Sequence, residues 1–351
     1  MMKRTVIDHP QHICNLSYEE LLRYLKSIKE KPFRATQIFE WVYQKNVWLF
    51  DDMKNLSKDL RDTLDKDFVL KPHKIAKKEI SEDGTTKFLF ELEDKEKVET
   101  VLIPTATRTT VCVSSQAGCK FGCRFCASGI GGWKRNLTVA EILGQILHIK
   151  EEAKKHKKPL SRIVFMGTGE NLDSYPNLMK AIRIINSKEG FNIGARRITI
   201  STVGIIPKIK ELAKENLQIE LAISLHGYND KSRNILMPVN KKYPFTDLIK
   251  ACKDYIKITK RQITFEYILI KGVTCTDEAA KELAKHLKRM ICKINLIPYN
   301  PVNEFSHQTP SRKEMYQFRD HLKEFGIHAT IRTPRGQDVS AACGQLRHIK
   351  S

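Results

Sequence analysis

Cys119, Cys123 and Cys126 fall within eight residues of the segment GCKFGCRFCASG. Three thiolates at C-x3-C-x2-C spacing are one ligand short of the usual sets. A structural zinc takes four protein ligands, and a [4Fe–4S] cube is ordinarily held by four cysteines. Zinc would need a fourth ligand close by, yet the next candidate is His148, inside a segment of helical pattern. A cube tolerates the vacancy if a small molecule takes the fourth iron. Phe125, between two of the cysteines, would shield such a cluster, and Gly118 and Gly122 let the loop wrap tightly.

The other chemistry-bearing residues are scattered. The nine cysteines are not spread like a secreted disulfide framework. Cys112 in TTVCVSS alternates with valines as a buried strand thiol would, and Cys343 in AACGQL sits among small residues as a packing thiol would. Cys14, Cys252, Cys275 and Cys292 belong to no motif. Glu99 in KVETVLIP reads on its own as a strand carboxylate. In FMGTGEN, Gly169 permits close backbone approach and Glu170 can accept from an ammonium group. Ser201, Ser224, Leu225, His226 and Asn300 fall at the ends of strand-like runs.

The pattern of the chain positions these residues. Residues 14–70 carry helical periodicity, and Ser17 with Glu20 forms a capping-box signal before the first helix. Residues 71–103 alternate like strands, with an Asp-Gly turn in EDGT. From about residue 108, strand runs at 109–115, 162–169, 196–204, 217–226, 262–270 and 293–301 take turns with helical stretches. Six βα units in series predict a parallel sheet, and their span suits an open six-stranded partial barrel better than a closed eight-stranded one of about 250 residues. Three divisions follow: a helical module over 1–70, a β unit over 71–107, and the barrel over 108–351. In such a fold chemistry gathers at the C-terminal strand ends, so the cysteine loop, GTGE, SLH and YNP should converge.

Here the sequence resembles a known family. The C-x3-C-x2-C loop after the first strand of a (βα)6 barrel looks like the radical S-adenosylmethionine enzymes. The segments EKPFRATQIFEWVY, RTTVCVSSQAGCKFGCRFCASG, ARRITISTVGIIP, LAISLHGYND, INLIPYNPV and RTPRGQDVSAACGQL resemble, in order and over nearly the whole chain, the dual-specificity rRNA/tRNA adenine-C2 methyltransferases. The resemblance implies one [4Fe–4S] cluster on Cys119, Cys123 and Cys126, whose open iron chelates S-adenosylmethionine, and two molecules of that cofactor per turnover. It implies that Cys343 is first methylated, that a 5′-deoxyadenosyl radical then abstracts hydrogen from the S-methyl group, and that the resulting carbon radical joins the base. Adenine C2 has no lone pair to attack a sulfonium, so a carrier thiolate is chemically reasonable. By the same resemblance Cys112 closes a transient disulfide with Cys343, Glu99 is the proton acceptor, and Gly169, Glu170, Ser201, Ser224, Leu225, His226 and Asn300 contact the cofactor. Thr168 and Asn171 depart from the family's GMGEP pattern, which puts the shape of the pocket in question.

Composition agrees with such a substrate. With 61 Lys and Arg against 40 Asp and Glu the net charge is +21, which favours polyanions. The implied partners are 23S rRNA, tRNA and an electron donor such as flavodoxin or ferredoxin, with the enzyme a monomer. No apolar run approaches the roughly 20 residues of a membrane span and no secretory signal pattern opens the sequence, so a cytoplasmic protein is expected. Arg34, Lys134, Arg135 and Arg335 are candidate RNA contacts, whereas the run at 154–158 reads as a solvated helix end. The competing readings are a C8-directed methyltransferase of the antibiotic-resistance branch, a non-catalytic iron–sulfur RNA-binding protein, and a zinc-stabilised RNA-binding module.

Overall fold

The computed structural model describes residues 11–155, 159–302 and 304–347. Helices open the chain: α1 (Tyr18–Ser27), α2 (Phe33–Phe39), which runs on into a π-helical turn at Glu40–Gln44, and α3 (Lys58–Asp67). The capping box forms as expected, with Ser17 N–H donating to Glu20 at 2.6 Å and Ser17 Oγ accepting from Glu20 N–H. Such a cap is worth about 1 kcal/mol. Glu20 also pairs with Lys180 at 2.7 Å, so the residue that starts the helix helps dock the module on the barrel.

Ten strands build one sheet whose spatial order follows the chain. They are β1 (Lys74–Ile80), β2 (Thr86–Glu91), β3 (Lys97–Pro104), β4 (Thr109–Cys112), β5 (Leu160–Phe165), β6 (Ile198–Thr202), β7 (Glu220–Ser224), β8 (Ile263–Leu269), β9 (Cys292–Pro298) and β10 (Ala329–Ile331). β1 to β4 pair antiparallel; from β4 to β10 every pairing is parallel. The anticipated β unit is therefore continuous with the barrel wall. The parallel part holds the six expected strands and a seventh, β10, whose three residues are too few to show an alternation. The connections carry α4 (Val139–Lys155), α5 (Tyr175–Asn186), α6 (Ile206–Leu212), α7 (Asp230–Leu236), α8 (Phe245–Thr259), α9 (Asp277–Leu287) and α10 (Arg312–Glu324).

Burial explains which strands are central. Every residue of β8 is buried, as expected of a parallel strand covered on both faces. Its outward Tyr267 stacks on Phe318 of α10 at 5.7 Å, while Glu266 and Ile268 face the barrel interior. β1, at the edge, is exposed and lysine-rich, which blunts pairing with another chain. Lys154 and Lys155 end α4 in ion pairs with Glu151 and Glu152; residues 156–158 of that charge run lie outside the described residues. No helix among the described residues is long and apolar enough to cross a membrane.

Candidate active site

The site lies at the C-terminal ends of the parallel strands. After β4 the chain forms a short antiparallel pair, Gln116–Gly118 with Trp133–Asn136, and the cysteine loop hangs between its two arms. Gly118 holds φ +76°, and a Cβ there would run into the Gly132 carbonyl, so only glycine lets Cys119 approach the far arm. Cys119, Cys123 and Cys126 all line one pocket. Burial pushes the Cys119 thiol up to about 12 and raises Cys123 and Cys126 as well, and thiolate charge on one opposes charge on the next.

Three cysteines lining one pocket can serve as thiolate ligands to a metal centre. Among the described residues no three His, Cys, Asp or Glu side chains converge as a ready single-ion site. A cluster makes a different demand, since each cysteine ligates its own iron. The zinc alternative loses its nearest ligand too: His148 is packed between Trp48 and Phe90 and is not part of this pocket. The residues present fit a cluster with one open iron.

Gly169, Glu170, Ser201, Ser224 and His226 line the same pocket, as does Cys343. Glu170 Oε2 accepts from Val203 N–H at 2.7 Å and Oε1 from Leu172 N–H at 3.0 Å. Burial lifts its carboxyl to about 7. His226 sits at φ +48°, its Nδ1 accepting from Ile268 N–H and its ring edge-on to Phe125 at 4.7 Å. Burial lowers it to about 3, so the ring is neutral. Leu225 does not line the pocket; its carbonyl accepts from the buried guanidinium of Arg233, which also reaches Val203 O and Asn240. Asn300 lies in an adjoining cleft instead, where Nδ2 donates to Cys343 O at 3.0 Å.

Both residues that depart from the expected motif are hydrogen-bonded into the strand ends. Asn171 Nδ2 donates to Phe165 O at 2.8 Å and Ser201 O at 2.7 Å, tying β5 to β6. Thr168 N–H donates to Ser114 Oγ, and its carbonyl accepts from Ser115 and Gln116.

Cys343 lines both the main pocket and the adjoining cleft, as do Arg332 and Ile297. The thiol is exposed. Cys112 is buried at the end of β4, packed with Val101, Ala341 and Leu346. Its thiol is raised to about 12, first by burial and then by the charge of Cys343. The two cysteines are thus electrostatic neighbours, both free. Glu99, on β3, is not among the pocket residues. Its Oε2 accepts from Arg347 N–H at 2.6 Å and Oε1 pairs with Lys87 at 3.1 Å. Burial raises its carboxyl above the ordinary range.

Two charged pocket residues were missed from sequence, Glu266 and Arg332. The signal for Glu266 was present: one carboxylate in the otherwise uncharged strand ITFEYIL. Among the candidate RNA contacts, Arg135 is committed. It forms a two-pronged pair with Glu141 and a further bond to Asp94 at 2.6 Å. Arg335 stands 3.7 Å from Asp83 and lines the cleft beside Cys343. Arg34 donates to Gln37 and Asn55 O.

Comparison with known proteins accords with this geometry. The Radical SAM superfamily description matches residues 113–287, and that of the ribosomal RNA large subunit methyltransferase N-terminal domain matches residues 11–70. The "Probable dual-specificity RNA methyltransferase RlmN" of Bacillus licheniformis is 48% identical over 335 residues, 95% of this chain and 93% of that protein. The protein of the same description from Clostridium novyi is 45% identical, covering 96% and 98%. A solved radical SAM methyltransferase from Sphaerobacter thermophilus superposes with a TM-score of 0.93 at 43% identity, covering 96% of this chain and 99% of that one. The chain belongs to the RlmN family of dual-specificity RNA methyltransferases, within the radical SAM superfamily.

Proposed function

We propose that this methyltransferase of rRNA and tRNA places its methyl group on adenine C2 by way of Cys343. The observation that carries the reading is that one exposed thiol borders both the cysteine-lined pocket and the adjoining cleft. When bound, a [4Fe–4S] cluster on Cys119, Cys123 and Cys126 and S-adenosylmethionine on its open iron supply the radical chemistry that activates the methyl group, two cofactor molecules serving each turnover. Gly169, Glu170, Ser201, Ser224 and His226 line the cofactor's place, while Leu225 supports it from behind and Asn300 orients the Cys343 backbone.

Cys343 receives a methyl group as a thiolate and carries it to the base. Glu99 takes the C2 proton once residues 341–347 move and release its Oε2 from Arg347. The Cys112 thiol then gives up its proton and attacks the Cys343 sulfur: the sulfur–sulfur bond forms and the carbon–sulfur bond to the base breaks. The freed methylene carbon takes up a proton to become the methyl group, and the one electron left over from radical addition would pass back to the bound redox centre. Flavodoxin or ferredoxin is the electron donor in this reading. The enzyme works as a cytoplasmic monomer, open to a large folded RNA. Residues 1–70 act as an accessory RNA-binding module, 71–107 as a β extension, and 108–351 as the catalytic barrel.

The test is mass spectrometry of nucleosides from 23S rRNA and tRNA incubated anaerobically with reconstituted enzyme, reductant and methyl-labelled cofactor. Label in 2-methyladenosine, lost by about 10³-fold or more in Cys343→Ala, is the expected result. Label in 8-methyladenosine would overturn the C2 assignment.

A further inference from the structure

One pocket residue has a polar atom with no partner. Glu266 is 3% exposed and lines the main pocket. Its Oε1 accepts from Asn295 Nδ2 at 2.9 Å, but its Oε2 accepts no hydrogen bond. Arg332, 3.8 Å away, is beyond hydrogen-bond reach. A buried carboxylate oxygen left in this state is costly unless a ligand donates to it. Its surroundings define that ligand. Ser224 is its register partner on β7, and Ser224 Oγ lies 3.3 Å from Ser201 Oγ on β6. One acceptor-only carboxylate oxygen beside two hydroxyls, each able to donate or accept, matches a vicinal diol. Carboxylates take this role toward ribose in other nucleotide sites. Glu170, by contrast, lies past the end of β5 with both oxygens already partnered by backbone.

We infer that Glu266 is the acceptor for the ribose hydroxyls of the bound cofactor, with Ser201 and Ser224 beside it. The inference rests on the assignment of this pocket to S-adenosylmethionine. Glu266 would then select the ribonucleoside form of the cofactor.

Calorimetric titration of the anaerobically reconstituted protein with S-adenosylhomocysteine, which keeps the ribose but has no methyl group to transfer to Cys343, and with its 2′,3′-dideoxy counterpart tests it without turnover. The wild-type protein should prefer the ribose form by about 30-fold. Glu266→Ala should shrink the preference to about 3-fold, the ratio of the two affinities within one variant being the readout, with Glu266→Gln intermediate. Equal affinity of the wild-type protein for the two forms would overturn the inference, and that comparison needs no variant to fold. An undiminished preference in Glu266→Ala would also overturn it. So would discrimination against the N6-methyl cofactor that disappears with Glu266, which would assign the carboxylate to the adenine amine. The change in the cluster's paramagnetic resonance signal on cofactor addition reports separately on the pocket. If neither nucleoside bound and that signal stayed still, the cofactor assignment would fall and the inference with it.

Discussion

Cys112 and Cys343 are neighbours with opposite mechanical settings. Cys112 is held in the sheet, paired in register with Val101 and Val164 and packed under Leu346. Cys343 rides on an irregular segment between Ser340 at φ +50° and Gly344 at φ +86°. A few hydrogen bonds moor that segment: Ala127 N–H to Gly344 O at 2.7 Å, Ser128 Oγ to Leu346 O, and Asn300 to Cys343 O. The buried thiol cannot go anywhere, and the exposed one is tethered where a handful of exchanges would free it. A carrier needs the second setting and a resolving partner the first.

Three substitutions sharpen or break this contrast. Glu99→Gln should slow turnover by about 10²- to 10⁴-fold, the usual range for a lost general base. Because burial raises the Glu99 carboxyl, its proton-accepting form is depleted at low pH. The wild-type rate of product release should therefore climb with pH through that raised value, and the limb should vanish in the variant. A pH–rate profile under single-turnover conditions checks both points. Cys112→Ala should cut turnover by about 10²-fold and leave protein joined to RNA, visible as a shifted band on a denaturing gel. The core loses little volume there, so unfolding should cost no more than about 2 kcal/mol. Wild-type turnover in Cys112→Ala would end the contrast. Gly344→Ala should be the mildest, at about 10-fold in the first methylation. The residue needs φ +86°, and a Cβ would stand 3.2 Å from Phe125 O, a strain of about 1–2 kcal/mol on the seated loop.

Much of this site is written locally in the sequence. The cysteine spacing, the Ser17–Glu20 cap and the alternation of strand and helix are properties of short segments, and each forms where it was read. What escaped depends on partners distant in the chain. Glu266 acquires meaning only when β7 and β9 flank it, and Arg332 only when β10 joins the sheet beside β9. Arg135 reads as a free cation until the fold brings Asp94 against it and the α4 turn presents Glu141. Asn171 looked like damage to a motif, yet its side chain bridges two strands.

The most direct test of the carrier assignment follows the methyl group on the protein itself. Reconstituted enzyme would be incubated with methyl-labelled S-adenosylmethionine without RNA, digested, and mapped by peptide-resolved mass spectrometry. The account predicts label on the peptide containing Cys343 and none on that containing Cys112, with the label passing to adenine when RNA and reductant are added. A labelled base formed without any labelled Cys343, or label on a different cysteine, would contradict it.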